Sequence, residues 1–247
     1  MPRVHREVLL AAAGQLVLLV VLARTVGLSG PAWVAGVLCA GAIDLLLVRG
    51  SAVSGALRLG AANRVTLLRA SLVAGVTALL ADGWSGPGAT PVLVALAALA
   101  LALDGVDGWV ARRTGTVSEL GARFDMEVDA FVILVLSVEV ARSLGVWVLL
   151  IGAARYAFVV AGWALPWLAA SLPPRYWRKP VAAIQGIVLT AGVAGLPQPA
   201  LVPAVLVALA LLSESFGRDV WWLWRRRGAP APVPVGDAVR PGLPSGG

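Results

Sequence analysis

Long apolar runs separated by short polar connections dominate the pattern of this chain. Each run is close to the length of an α-helix that crosses about 30 Å of hydrocarbon. None shows the alternation typical of a strand, and a helix in lipid satisfies its own backbone hydrogen bonds. The pattern predicts an all-α, multi-pass transmembrane helical bundle with eight spans. The predicted spans cover residues 8–23, 32–48, 65–81, 91–109, 122–141, 146–169, 181–197 and 199–216.

Basic residues collect in alternate connections between these runs. Because positive residues favour the cytoplasmic side, we predict a multi-pass protein of the cell (plasma) membrane with both termini in the cytoplasm. Only Arg24 and Arg142 fall in the opposite set of connections. The predicted cytoplasmic set contains Arg3, Arg6, Arg49, Arg58, Arg64, Arg112, Arg113, Arg175, Arg178, Lys179, Arg218, Arg225, Arg226 and Arg227.

The composition agrees with a membrane protein and narrows its chemistry. Hydrophobic residues make up 59% of the 247 residues and charged residues only 13%, against about one quarter charged in a soluble domain. The arginines of short loops account for the net charge of +7, so we expect the lipid bilayer, and no nucleic acid, as a partner. The single histidine, His5, and the single cysteine, Cys39, disfavour histidine-based catalysis and zinc sites.

Acidic residues are concentrated in one place. Six of the thirteen fall between residues 104 and 129. Asp104 and Asp107 share one stripe of the fourth predicted helix, and Asp125 and Asp129 share a stripe of the fifth. The short connection between these helices makes them antiparallel neighbours, so the two carboxylate pairs should face each other near the cytoplasmic surface. Acidic groups beside or within spans are costly and usually functional.

Carboxylates placed this close together repel each other unless cations neutralise them. Oxygen ligands without histidine or cysteine favour Mg²⁺, Mn²⁺ or Ca²⁺, and a two-metal site suits in-line phosphoryl displacement. Gly108 and Ala111 keep the Asp104 stripe free of bulk, so a phosphate or nucleotide can approach the backbone. The alternative is a structural network in which the aspartates pair with nearby arginines, namely Arg112, Arg113 and Arg123.

The residues from Asp104 to Asp129 follow the spacing D-x2-D-G-x2-A-R-x8-G-x3-D-x3-D. This spacing resembles the signature of the CDP-alcohol phosphatidyltransferase family at every fixed position and gap. A second element, N-x2-T-x2-R, resembles the start of the family's first core helix, although Ala62 stands where proline is usual. Its fixed residues here are Asn63, Thr66 and Arg69.

The resemblance implies a division of the chain into three parts. Residues 60–216 would form the six-helix family core. Residues 1–59 would add two spans and an interfacial segment at 49–62. Residues 217–247 would form an aromatic and basic anchor followed by a disordered tail rich in Pro and Gly.

The resemblance also implies a reaction and a role for each residue. An acceptor hydroxyl would attack the phosphorus that bears the lipid in CDP-diacylglycerol and release CMP, with Mg²⁺ or Mn²⁺ bound at a two-metal site. Asp129 would be the general base. Metal ligands would be Asp104, Asp107, Asp125 and Asp129, and the CDP moiety would be bordered by Asn63, Thr66, Gly108, Ala111 and Arg112. Members of the family also suggest a homodimer.

The acceptor alcohol is left open by the sequence. Glycerol 3-phosphate, inositol phosphate, serine and phosphatidylglycerol (the cardiolipin reaction) are all used within the family. Arg155, inside a predicted span, together with Lys179 and Arg123 favours a phosphorylated polyol such as glycerol 3-phosphate. The alternative for Arg155 is a structural pair with Glu139.

Two rival functions make different predictions about the acidic residues. A transporter would distribute them across the membrane, whereas here they cluster at one face. A catalytically inactive member of the family would not need the complete aspartate set. Asp44 and Glu139 are isolated acids inside spans, and such residues more often form interhelical bonds than proton relays.

Overall fold

The computed structural model describes residues 3–54, 61–83, 89–114, 119–170, 172 and 177–227. The predicted interfacial segment lies partly outside these ranges, and the predicted disordered tail after residue 227 lies wholly outside them. Some side chains within helices are also outside the described part. Among the predicted site residues these are Asn63, Asp107, Gly108, Ala111 and Arg112.

Each predicted span corresponds to one α-helix, and the described residues contain no strand. Short 3-10 helices at Val146–Val148 and Pro166–Ala169 flank the sixth helix. The second one begins at Pro166, where the proline ring cannot continue the α-helix. The helices are α1 Arg3–Thr25, α2 Gly30–Ser54, α3 Ala61–Ala81, α4 Ala89–Thr114, α5 Glu119–Leu144, α6 Leu149–Ala164, α7 Arg178–Val193 and α8 Gln198–Arg226.

Six helices in the described part of the chain are long and apolar enough to cross a membrane: α1 to α4, α6 and α8. The other two differ for identifiable reasons. Helix α5 carries Asp125, Glu127 and Asp129 along its first half. Helix α7 has only 16 residues, whereas α6, also of 16, is extended to a 19-residue apolar segment by the 3-10 turn before it. The prediction of an all-helical, multi-pass transmembrane bundle is confirmed.

Helix α3 lies at the centre of the bundle. Its apolar stretch is 72% buried by other helices, against 17–33% for the other five candidate spans, so most of their surface is left for lipid. Leu67, Ala70, Val73 and Leu79 belong to the buried core on this helix. A charged side chain on the buried face of α3, such as Arg69 at 1% exposed, is therefore surrounded by protein.

The helices run alternately up and down, as polar contacts between their ends show. At one end, Arg64 at the start of α3 pairs with Glu7 of α1, and Arg178 at the start of α7 lies 2.8 Å from Asp219 near the end of α8. At the other end, the amide of Gln198 donates to the Ser143 carbonyl at 3.1 Å, joining the start of α8 to the end of α5. The aspartate cluster lies at the first of these ends.

Helix α8 extends beyond its predicted apolar span to Arg226. Its last turns carry arginines stacked on tryptophans, with Arg225 4.5 Å from the Trp221 ring and Arg226 4.1 Å from the Trp222 ring. Tryptophan and arginine together are typical of a membrane interface. The predicted aromatic and basic anchor is thus a continuation of the last helix.

Candidate active site

Three aspartates from two helices meet at one end of the bundle. Asp104 comes from the second half of α4, and Asp125 and Asp129 come from the first turns of α5. One carboxylate oxygen from each lies within 4.8 Å of the others. The spacing of four residues places Asp125 and Asp129 one turn apart on the same face. The prediction that the two acidic stripes face each other is therefore borne out for these three residues.

Arg69 of α3 is the cation at the centre of this cluster. Its guanidinium Nη1 lies 3.1 Å from Asp104 Oδ1 and also pairs with Asp125, while Nη2 pairs with Asp129. Its Nε donates to the carbonyl oxygen of Ala100 at 3.0 Å, one turn before Asp104. The Arg69 side chain is 1% exposed, so every contact is made inside the protein.

In the sequence, Arg69 is the last residue of the N-x2-T-x2-R element, and this position assigns it no role. The ion-pair alternative assigns the aspartates to Arg112, Arg113 and Arg123, which are close in sequence. The partner that the structure describes, Arg69, is distant in sequence, and a signal for it exists: an arginine within an apolar span is costly unless it is paired. Arg113 and Arg123 have exposed side chains, and that of Arg112 lies outside the described part.

The predicted nucleotide-binding residues surround the same end of the bundle. Thr66, 2% exposed, lies on α3 one turn before Arg69. The backbone of Asn63 belongs to the start of α3, and those of Gly108, Ala111 and Arg112 belong to α4, four to eight positions after Asp104. Their placement along the helices agrees with a site for a charged ligand at this end, and their side-chain contacts fall outside the described residues.

A cavity of about 260 Å³ adjoins the aspartates between α5, α6, α7 and α8. Its walls are mainly apolar, from residues such as Ile133 and Phe158. The polar groups on its walls include Asp129, Arg155, Arg178, Gln185 and Asp219. Asp129 is the one member of the three-aspartate cluster that also lines this cavity.

Three residues that line the cavity have a buried polar atom without a hydrogen-bond partner among the described residues: Nε of Arg155, Nε of Arg178 and Oε1 of Gln185. Buried polar atoms are normally paired, so these side chains have hydrogen-bonding capacity that their described contacts do not use. The remaining contacts fix these side chains. Arg155 pairs with Glu127, Arg178 pairs with Asp219, and the Gln185 amide donates to the Ala208 carbonyl at 2.8 Å.

The other predicted acceptor residues are placed differently. Arg123 and Lys179 have exposed side chains and do not line this cavity, whereas Arg178, the neighbour of Lys179, does. The alternative pairing of Arg155 with Glu139 is wrong. Glu139 lies 3.4 Å from Arg142, three residues along α5, because both are near the opposite end of the bundle.

Asp44 of α2 has a structural partner. The amide of Gln15 on α1 donates to its carboxylate at 3.2 Å, and Gln15 is 2% exposed. This interhelical bond is the arrangement expected for an isolated polar pair inside a membrane.

Comparison with protein families identifies the chain. The sequence model of the CDP-alcohol phosphatidyltransferase family matches residues 59–215, more than half of the chain. The chain belongs to this family. The match begins after α2 and covers α3 to α7 with most of α8, so it includes the aspartate cluster and most residues of the adjoining cavity. Comparisons with curated proteins and with solved structures gave no match.

Membership in the CDP-alcohol phosphatidyltransferase family establishes the class of reaction. The protein is a membrane transferase of phospholipid synthesis that uses a CDP-alcohol as a substrate. The apolar helices agree with a lipid-embedded enzyme.

Proposed function

We propose that the protein transfers the phosphatidyl group of CDP-diacylglycerol to a phosphorylated polyol such as glycerol 3-phosphate, with release of CMP. The observation that carries this proposal is the position of Asp129, which belongs to the aspartate cluster and also lines the cavity that holds Arg155 and Arg178. A residue shared by the two sites can act on the acceptor while the nucleotide is held beside it.

The donor set of the cluster fits hard divalent cations. Carboxylate oxygens from three aspartates within 4.8 Å of one another are ligands that Mg²⁺ and Mn²⁺ prefer. In this proposal Asp104, Asp107 and Asp125 hold two cations, with Asp129 beside them. When bound, the cations would neutralise the diphosphate and stabilise the departing CMP phosphate.

Asp129 is proposed as the general base. The acceptor hydroxyl loses its proton to the Asp129 carboxylate as its oxygen forms a bond to the phosphorus that carries diacylglycerol. The bond from that phosphorus to the bridging oxygen breaks, and CMP leaves with the electron pair. Arg69, which pairs with Asp129, holds the carboxylate in place between the cluster and the cavity.

The cavity favours an acceptor that carries both a phosphate and hydroxyl groups. Two guanidinium groups with unpaired Nε atoms can donate to a phosphate. The unpaired Oε1 of Gln185 can accept a hydrogen bond from a hydroxyl. We therefore propose Arg155 and Arg178 as phosphate-binding residues, with Arg123 and Lys179 at the exposed approach to the site.

Two acceptors from the same chemistry remain as alternatives: inositol phosphate, and the glycerol phosphate headgroup of phosphatidylglycerol, which would give cardiolipin. Both carry a phosphate and a hydroxyl. A transporter is disfavoured because the three aspartates contact one arginine at one end of the bundle and do not form a path across it.

The test is an acceptor screen. Purified protein with CDP-diacylglycerol and Mg²⁺ or Mn²⁺ is given glycerol 3-phosphate, inositol phosphate, phosphatidylglycerol, serine or no acceptor, and products are identified by mass. Phosphatidylglycerol phosphate as the main product is the expected result. A main product from serine, which has no phosphate, would contradict the assignment of Arg155 and Arg178.

For the membrane arrangement, we propose that the active site and both termini face the cytoplasm at the cell membrane. Loop arginines support this orientation. It places the aspartates on the side where a soluble, CDP-linked headgroup and a phosphorylated acceptor are available.

A further inference from the structure

We propose that Arg69 is a built-in cation that keeps Asp104, Asp125 and Asp129 assembled when no divalent cation is bound. It is a positioning residue, since its described contacts are to the carboxylates and to backbone. The proposal deepens the proposed function, because it assumes that the same three carboxylates also hold divalent cations.

The geometry shows one side chain joining three helices. Arg69 starts on α3, donates through Nε to Ala100 of α4, and reaches Asp104 of α4 with Nη1. The same guanidinium pairs with Asp125 and Asp129 of α5. The guanidinium is planar and its donors point in fixed directions, so a single side chain serves all of these contacts at once.

The charges explain why a permanent cation is needed at this position. Three carboxylates within 4.8 Å of one another repel each other, and all three are partly buried in the protein. Arginine stays protonated under all physiological conditions, so Arg69 neutralises one of the three charges at all times. Taken by themselves, these three carboxylates and Arg69 carry a formal charge of −2, so the carboxylates can still bind divalent cations.

Because Arg69 is buried, it needs the aspartates as much as they need its charge. A guanidinium that is 1% exposed is itself costly to bury without carboxylate partners. The aspartates and Arg69 therefore stabilise one another in the metal-free protein. When divalent cations bind, they take over part of the neutralisation, so the contribution of Arg69 to folding stability should be largest without metal.

This dependence on metal separates Arg69 from an ordinary structural arginine. Loss of its charge should destabilise the metal-free protein more than the metal-loaded one. Because ligands that bind only the folded state stabilise it by mass action, the stabilisation of the protein by Mg²⁺ should be larger in Arg69→Met than in the wild type.

The experiment compares thermal unfolding of the full-length protein in detergent with EDTA and with excess Mg²⁺. Arg69→Met should lower Tm at least twice as much in EDTA as in Mg²⁺, and Arg69→Lys should fall between it and the wild type. The matched control is Arg155→Met, which removes another interhelical ion pair, with Glu127, outside the cluster. Its loss of Tm should be the same in both conditions.

If Mg²⁺ raises the Tm of the wild type, equal losses of Tm with and without Mg²⁺ for both Arg69 variants would overturn the proposal. If Arg69→Met does not fold, Arg69→Lys alone decides by the same comparison. A second arm adds Asp125→Asn to either Arg69 variant in EDTA, and it should raise Tm because it removes the unneutralised charge. No rise would also overturn the proposal.

The two parts of the experiment distinguish failure of the Arg69 proposal from failure of the proposed metal site. If neither Mg²⁺ nor Mn²⁺ changes the Tm of the wild type, the proposed metal site fails. The recovery by Asp125→Asn in EDTA still tests Arg69 in that case, because it depends on carboxylate repulsion alone.

Discussion

Asp129 is the residue at which the two halves of the site meet. Its carboxylate pairs with Arg69 on the side of the cluster, and its side chain contributes to the wall of the cavity. A general base must lie within hydrogen-bond reach of the proton it removes. Among the three clustered aspartates, Asp129 is the one placed beside the space in which an acceptor hydroxyl can lie.

Arg155→Met is expected to raise KM for the phosphorylated acceptor about tenfold or more, with little change in KM for CDP-diacylglycerol. The reason is the loss of a charge-assisted hydrogen bond, worth about 1.5–3 kcal/mol. Steady-state kinetics with each substrate varied in turn provide the measurement. Arg142→Met, at the opposite end of the bundle, is the control and should leave both KM values unchanged.

Arg178→Met is also expected to raise KM for the phosphorylated acceptor, since Arg178 lines the same cavity and its Nε is likewise unpaired among the described residues. An unchanged acceptor KM in both variants would show that the acceptor phosphate binds elsewhere.

At the scale of the helices, the site depends on close contact between α5 and α6. A Cβ atom at Gly152 would lie 2.6 Å from the Leu134 backbone Cα and even closer to the Ser137 hydroxyl. Only a glycine allows this approach, which brings Arg155, one turn further along α6, to Glu127 of α5. Gly152 therefore determines how closely α5 and α6 pack at the wall of the cavity.

Gly152→Ala is expected to lower stability by about 1–3 kcal/mol, the usual cost of overpacking a well-packed contact. Gly162→Ala on the same helix is the matched control, because its Cβ would lie 3.9 Å from the nearest atoms. Thermal unfolding in detergent measures both. Equal stability of the two variants would mean that α5 and α6 do not pack as described.

The sequence was sufficient for the helices and for most of the aspartate cluster. Apolar runs identified all eight helices because lipid leaves few other backbone structures available. Helical spacing placed Asp125 and Asp129 on one face. The motif also singled out Asp104 on the neighbouring helix.

The partners of the charged residues could not be predicted in the same way. Arg69 meets aspartates that are 35 to 60 positions away in the chain, and spacing along one helix carries no information about such contacts. Lys179 was expected near the acceptor, whereas Arg178 lines the cavity. One position along a helix turns a side chain by about 100°, so neighbours face different surroundings.

At the scale of the whole molecule, the two ends of the bundle differ in charge. The aspartate cluster, Arg155, Arg178 and the arginines at the end of α8 lie toward one end, while Arg142 lies toward the other. Because the helices run alternately up and down, the basic connections, which alternate along the chain, come together at one end of the bundle. The arrangement predicts that the polar substrates reach the site from the cytoplasm.

Cysteine labelling tests this orientation. In a Cys39→Ala background, Arg142→Cys should react with a membrane-impermeant maleimide in intact cells, and Arg218→Cys should react only after permeabilisation. Both native side chains are more than half exposed, at 54% and 65%. The reverse pattern of labelling would place the aspartate cluster on the outer face.

The most direct test of the central claim is CMP release from CDP-diacylglycerol by the wild type and by Asp129→Asn. With Mg²⁺ or Mn²⁺ and an acceptor, the wild type should release CMP, and EDTA should abolish release. Asp129→Asn should be slower by a factor of about 10²–10⁴, the usual contribution of a general base, and Glu214→Gln, which is outside the cluster and does not line the cavity, should match the wild type. CMP release that is unaffected by EDTA, or undiminished in Asp129→Asn, would contradict a metal-dependent transferase with Asp129 as its base.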